Sequence, residues 1–314
     1  MSGEKVLILG DDTRSFLAIV RSLGRRGITV HAAPSNFRSP SLRSRYIARV
    51  HDLPPWIGDG RHWLTATEGL LRAERYNLVI PCNERTLLPL QRCRAILSQV
   101  ARLAIPEDRE IAVLFDKHET RELAKRVGVT VAAGRLTGPN ESAEDVVAEY
   151  GTPVVVKPRF SYSLETLAAR SKVHILDEPV QLQRYLSQCA PAETLLEKYF
   201  AGQGVGISVL VNKGRLLQAF EHRRVREVHG ASFYRYSAPP TEALLRACEL
   251  ITSELRYTGI AMFEFKRNPA WEWVLLEINA RPWGSMPLPL ALGVDFPYRW
   301  YRLLVAGEEA PAID

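Results

Sequence analysis

An α/β unit followed by an α+β half is the fold class predicted by this 314-residue sequence. Three observations carry it: a strand–helix–strand succession at the start, a second strand–turn–helix near residue 80, and antiparallel hairpins beyond residue 194. Val6-Leu-Ile-Leu9 reads as a fully buried parallel strand, and Gly10-Asp11-Asp12 turns the chain. Residues 15–26 have apolar positions at Phe16, Ile19, Val20 and Leu23, the spacing of an amphipathic helix. Gly27 ends it, and 28–31 form the next strand. This βαβ unit predicts a Rossmann-like open sheet. The segment 35–55 reads as loop with short pieces of structure. Leu78–Pro81 is a strand leading to a helix from Glu84, and 101–105 is expected to close the sheet.

The pattern then changes. Residues 111–127 read as helical, with Gly128 as C-cap and Lys117 at a helix start after Phe115-Asp116. Pro153–Pro158 is a β-branched strand, 173–175 another, and 180–186 a helix. Strands follow at 195–196, 206–211 and 215–222, the last two joined by the turn Asn212-Lys213-Gly214. A helix at 241–255 precedes a hairpin, 260–266 and 273–278, around Asn268-Pro269. The expected domains are 1–106, 107–193 and 194–314.

Composition bounds the function. With 46% hydrophobic and 24% charged residues the chain is ordinary globular protein, without an apolar run long enough to span a bilayer. Its start lacks a secretory signal, so a cytoplasmic location is the default expectation. Cys82, Cys93, Cys189 and Cys248 are scattered without C-x-x-C pairing, which argues for reduced thiols over zinc or disulfides. The net charge of +6 comes from basic residues spread along the chain. Anionic small molecules explain it as well as nucleic acid, because no stretch interleaves basic and aromatic residues as a single-strand platform does. The loop after the first strand, G-D-D-T, is not a dinucleotide fingerprint.

Three constellations could carry chemistry. Glu277 and Asn279 lie two apart on a strand and share a face, and Glu264 can oppose them across the hairpin. Two carboxylates and an amide oxygen suit a hard cation such as Mg²⁺; a solvated strand face with salt bridges is the competing reading. Arg281 continues the alternation and could reach an anion there. Lys117 and Lys157, at the ends of rigid elements, could neutralise nucleotide phosphates, or be ordinary surface lysines. Leu195–Gly206 runs an apolar strand into a glycine-rich turn whose backbone could approach adenine, or simply be a flexible hairpin. Asn83, Glu84 and Arg85 could border a substrate pocket or cap a helix. Residues 230–236 could lie over a substrate, with Ser232 and Arg235 as contacts, or form an exposed loop.

The stretches F-E-F-K-R-N-P and W-V-L-L-E-I-N-A-R-P-W-G-S closely resemble the metal-binding end of the ATP-grasp superfamily, most of all the carbamoyl-phosphate-synthetase-like carboxylate–amine ligases. V-V-V-K-P-R resembles their phosphate-contacting strand, L-L-E-K-Y-F-A-G-Q-G-V-G-I-S-V-L the adenine hinge, and F-D-K-H-E-T-R-E-L-A-K-R-V-G-V the opening helix. The resemblance covers nearly the whole chain. It implies an N-terminal Rossmann-like domain before a two-lobed ATP-grasp domain: a small lobe, then a C-terminal lobe with the antiparallel sheet and metal site. Glu264, Glu277 and Asn279 would hold Mg²⁺, with Mn²⁺ able to replace it. Lys117 and Lys157 would contact ATP phosphates, and Glu197 with the backbone at Lys198, Tyr199 and Phe200 would meet adenine. Arg281 would stabilise the transferred phosphoryl group, with Lys157 also catalytic. Arg223 and Arg224 would hold phosphate or carboxylate. The implied activity is ADP-forming ligation of a small-molecule carboxylate to an amine or other nucleophile. A nucleotide-binding module with little catalysis, a small-molecule kinase, and a ligase acting on a large acidic partner are the alternatives. Two departures bear on this: no glycine occurs between Lys157 and Gly202, where the family often has a phosphate-covering glycine-rich loop, and Gln203 and Gly204 stand where many members hold ribose with an acid. An oligomer remains open.

Overall fold

The computed structural model describes residues 3–165, 167, 171–228 and 231–309, the side chains of 227, 228 and 231–233 excepted. The first unit comprises β1 (Lys5–Leu9), α1 (Ser15–Arg25), β2 (Thr29–Ala33), a 3₁₀ turn (Pro40–Arg43), β3 (Ile47–Val50), α2 (Arg61–Glu74), β4 (Leu78–Pro81), α3 (Glu84–Arg92) and α4 (Arg94–Leu97). Its strands pair in parallel in the order β3-β2-β1-β4. Side chains alternate faces along each strand. Val6, Ile8, Val30 and Ala32 therefore pack with α1, whereas Leu7, Leu9, Ala33 and Val79 pack with Trp63 and Leu71 of α2. The strand expected at 101–105 is reduced to a single bridge, Val79 to Leu103, in which Val79 N donates to Arg102 O and Ala104 N to Val79 O. Pro106 lacks the N–H needed to extend it.

The second set is α5 (Asp108–Leu114), α6 (Lys117–Arg126), β5 (Gly134–Leu136), α7 (Ala143–Tyr150), β6 (Val154–Pro158), β7 (His174–Leu176), α8 (Pro179–Leu186) and β8 (Thr194–Lys198). The helix expected over 111–127 is two helices. Asp116 breaks it because its carboxylate caps the second, accepting from His118 N and Glu119 N. Gly128 follows with φ +77°, as a C-capping glycine should. The strands form an antiparallel sheet, β5-β8-β6-β7, backed by α7 and α8.

The third set is β9 (Gln203–Asn212), β10 (Arg215–Val228), β11 (Ala231–Ala238), α9 (Glu242–Leu255), β12 (Gly259–Arg267), β13 (Trp273–Asn279), α10 (Pro287–Ala291) and α11 (Phe296–Ala306). The sheet order is β11-β10-β9-β12-β13, all antiparallel. Lys213 (φ 48°) and Gly214 (φ 88°) make the tight turn between β9 and β10. The segment read as a loop over the substrate is strand β11 from residue 231; residues 229 and 230 lie outside the described ones.

The sheets divide the chain differently from the expected domains. β8, assigned to the last domain, pairs with β5 and β6, so the change of sheet falls between Lys198 and Gln203. Leu114, Leu123 and Ala124 of α5 and α6 pack on the third sheet, with Val209 and Phe263. Phe296 and Trp300 of α11 return to the first sheet, beside Phe16 and Ile19. Ser22 Oγ and Arg26 Nη1 both reach Asp295, each at 2.6 Å. Chain order and packing order differ because these helices cover the sheet whose apolar face is open, not the nearest in sequence. Among the described residues no helix is long and apolar enough to cross a membrane. All four cysteines are free, with Cys82, Cys93 and Cys248 buried.

Candidate active site

Glu264 on β12 and Glu277 on β13 are direct register partners, and Asn279 stands opposite Met262 two positions on. Asn279 Nδ2 donates to Glu264 Oε1 (3.3 Å) and to Glu277 Oε1 (3.1 Å). The other Glu264 oxygen accepts from Arg224 Nη2 at 2.5 Å. Two acidic side chains side by side on a half-buried strand face repel one another unless positive charge intervenes. Here an amide N–H₂ and a guanidinium share the task. Turning the Asn279 amide over would present its oxygen to the same point, making an all-oxygen set of the kind Mg²⁺ takes.

Across a cleft stands the start of α6. Glu84, Phe115, Lys117, Ser161, Glu277 and Asn279 line it, drawing on all three sets of elements. Lys117 Nζ donates to Ser161 Oγ at 3.0 Å, and Lys117 N to Arg159 O at 3.1 Å. Asp116, already capping α6, also accepts from Arg159 Nε at 2.7 Å. The chain after β6 is thereby tied to the helix start, and Lys117 lines the same cleft as Glu277 and Asn279.

Lys157 and Glu197 meet on the second sheet. They lie on neighbouring strands β6 and β8, and Lys157 Nζ forms an ion pair with Glu197 Oε2. The other Glu197 oxygen accepts from Arg121 Nη1 at 2.6 Å. Side-chain exposure is 4% for Arg121, 4% for Glu197 and 9% for Lys157. One carboxylate is thus shared by two cations away from water. Arg121 Nη2 also donates to Ala132 O (2.7 Å) and Gly134 O (3.3 Å), which anchors the guanidinium to the strand edge. Sequence reading missed Arg121. Its signal was its place four residues after Lys117, on the same face of α6.

The remaining expected site residues spread out. Lys198 is exposed and its backbone is engaged with Ala133 O; Tyr199 lies beneath the Lys266 ammonium, 4.7 Å from the ring centre. Phe200 is half-buried in the connection to β9. Arg281 is drawn to Glu84, with Nη2 and Nε at 3.0 and 3.2 Å from Oε1, so it clamps the third sheet to α3 beside the cleft. Glu84 is thus more than a turn residue, whereas Asn83 is the N-cap of α3, its side chain accepting from Thr86 N. Arg223 and Arg224 diverge: Arg223 Nε donates to buried Glu221, whose other oxygen accepts from Thr241 N. Arg235 pairs in register with Arg224. The Ser232 side chain lies outside the described ones.

The glycines need a different explanation from the expected one. Gly204 and Gly206 are inside β9, not in a turn. A Cβ on Gly206 would stand 2.2 Å from His222 Cε1, so Gly206 makes room for that imidazole. His222 is buried, and burial first, then the charges of Arg235 and Arg224, lowers its pKa to about 3. It is neutral at pH 7.

Residues 190–313, which hold the acidic pair, match the family described as ATP-grasp in the biosynthetic pathway with Ter operon. Over those residues the chain is similar to ATP-grasp proteins. It is 23% identical over 185 residues to the carbamoyl phosphate synthase large chain of Clostridium acetobutylicum, covering 55% of this chain and 17% of that one. The chain thus spans about a sixth of the length of that curated relative. Among solved structures, an L-amino acid ligase from Bacillus licheniformis superposes with a TM-score of 0.73 at 15% identity, over 98% of this chain and 78% of its own. The biotin carboxylase domain of 2-oxoglutarate carboxylase from Hydrogenobacter thermophilus, solved with MgADP, ADP and bicarbonate, gives 0.74 at 18% identity, over 98% and 70%. At these identities the structural likeness is one of fold.

Proposed function

We propose that this chain is an ATP-grasp protein that uses Mg·ATP to turn a substrate carboxylate into an acyl phosphate and then joins it to an amine or other nucleophile, releasing ADP and phosphate. The observation that carries the proposal is the convergence of Glu264, Glu277 and Asn279 on one point, with Lys117 lining the same cleft as Glu277 and Asn279. The donor set fits a hard dication, which would neutralise phosphate oxygens when bound; Mn²⁺ would serve in its place. The resemblance to carboxylate–amine ligases supports the reaction class.

The chemistry asks for positioning and charge, not for a covalent nucleophile. A carboxylate resists attack because its charge repels nucleophiles. Transfer of the γ-phosphoryl group onto its oxygen creates a leaving group; the nucleophile then attacks the acyl carbon and phosphate departs. Lys117 would hold terminal phosphates at the cleft. Lys157, kept buried by Glu197, would meet a phosphate nearer the base, and Glu197 with the backbone of 198–200 would accept adenine. Arg281 and Arg224, both held by carboxylates at the cleft, would receive the anionic acceptor. Arg223, turned to Glu221, would support the sheet. We read residues 1–106 as a Rossmann-like domain preceding the grasp, supported by the parallel order β3-β2-β1-β4, and the small lobe as extending through Lys198.

The test is substrate-dependent ADP release across carboxylate and amine pairs, with hydroxylamine present. Hydroxamate formation marks an activated carboxylate; ADP release with a stable phosphorylated product and no hydroxamate would make the protein a kinase instead. Glu277→Gln should abolish ADP formation while the thermal midpoint stays within a few degrees. Wild-type turnover in that variant would contradict the assignment.

A further inference from the structure

We propose that His31, His51 and Glu74 form a second metal site, for a borderline divalent cation such as Zn²⁺, on the α2 face of the parallel sheet. Nothing in it depends on the grasp reaction. His31 lies on β2, His51 one residue beyond β3, and Glu74 ends α2. One ligand atom from each falls within 4.8 Å of the other two. Lys5 opens β1 and Tyr76 precedes β4, while His31 is central in β2; Glu84, at the cleft, follows the end of β4.

Hydrogen bonding and a bound cation are alternative ways to satisfy this cluster. His31 Nδ1, His51 Nε2 and Tyr76 Oη form a triangle with sides of 2.9, 2.9 and 3.0 Å. An imidazole nitrogen carries either a proton or a lone pair, and a phenol has one proton. One proton arrangement serves all three atoms, with one ring N–H donating to the phenol oxygen and the phenol O–H donating to the other ring nitrogen; no arrangement puts a proton on all three sides. If both nitrogens donate to the phenol oxygen, two N–H groups face each other. A cation satisfies every corner at once. With bonds of 2.0–2.1 Å it would sit about 1.2 Å off the plane of such a triangle. Glu74 Oε2, 3.9 Å from His31 Nδ1, is placed to complete the set.

The chemistry of the donors agrees. His31 is buried and His51 half-buried, so both imidazoles lie away from bulk water beside Glu74. Tyr76 touches both rings and is the weakest corner of the set. Lys5 Nζ and Arg49 Nη1 each hold a Glu74 oxygen at 2.8 Å. They oppose a dication by charge, yet each carboxylate oxygen keeps a lone pair, so both can stay as outer partners that orient the ligand. Two imidazoles and one carboxylate favour zinc-like ions over Mg²⁺.

The full chain, stripped with chelator, would be titrated with Co²⁺ and followed by visible absorption, then by displacement with Zn²⁺. One equivalent should bind with the intense spectrum of a four-coordinate ion, and Zn²⁺ should abolish it. Half-buried His51 changed to Ala, and Glu74→Gln, which keeps its volume, should each weaken binding at least tenfold, with native circular dichroism. Glu277→Gln should bind Co²⁺ here as wild type does. Absence of the four-coordinate spectrum, or an unchanged affinity in both variants at the cluster, would overturn the site.

Discussion

Replacing Glu197 by Gln keeps the volume of the side chain and removes the one negative charge shared by Arg121 and Lys157. Two cations, at 4% and 9% exposure, then face each other without a counter-charge. Stranding a buried charge by deleting its partner costs about 3–5 kcal/mol. Arg121 keeps its two carbonyl acceptors, so most of the loss falls on Lys157. Lys157→Met removes a charge too, but leaves Arg121 and Glu197 as a matched pair, and should cost about 1 kcal/mol, the value of a typical hydrogen bond. The double variant, with one cation left on its carbonyls, should recover more than half of the Glu197→Gln loss, a coupling of at least 1 kcal/mol between sites in contact. Urea unfolding at low salt measures all three, since guanidinium would screen the charges. If Lys157→Met were more destabilising than Glu197→Gln, or the double variant lost the sum of both, the shared-carboxylate reasoning would be wrong.

Other consequences follow from single contacts. His222 protonates near 6.5 in an unfolded chain but near 3 in the fold, so the unfolded state takes up more protons between those values. Its contribution is therefore complete above pH 6.5 and is lost as pH falls, at roughly 1.4 kcal/mol per pH unit. Urea midpoints at pH 7 and 5 should fall further for wild type than for His222→Gln, and equal slopes would refute this. Gly206→Ala should destabilise by about 1–3 kcal/mol through overpacking, with partial rescue by His222→Ala; no rescue would place the strain elsewhere. Lys117→Met, which removes the hydroxyl contact and a charge at the cleft, should weaken ATP binding about tenfold by titration calorimetry, and wild-type affinity would contradict the assignment.

Where periodicity is strong the sequence was readable. Val6–Leu9, the helix from Ser15, and the hairpin of β12 and β13 show burial directly in residue type, because one face of each must be apolar. The juxtaposition of Glu264 with Glu277 was legible for the same reason: a period of two and a short turn leave few registers. Helix α2 was missed because its buried positions, Trp63, Thr67 and Leu71, include a polar one and its rim is charged. Helix α11 begins Phe296-Pro297 and mixes aromatic and basic residues, so its face shows only against α1. Arg121 and the turning of Arg281 toward Glu84 depend on contacts 76 and 197 residues apart, which no local pattern encodes. The glycines of β9 looked like a ligand loop, although the constraint at Gly206 is a histidine on the next strand.

The most direct test of the whole account is calorimetric titration of ATP into wild type and Glu277→Gln, each with and without Mg²⁺. The metal should tighten ATP binding to wild type at least tenfold and leave the variant's affinity almost unchanged. An equal gain from Mg²⁺ in both proteins would mean that the paired carboxylates of β12 and β13 are not where the nucleotide's metal sits.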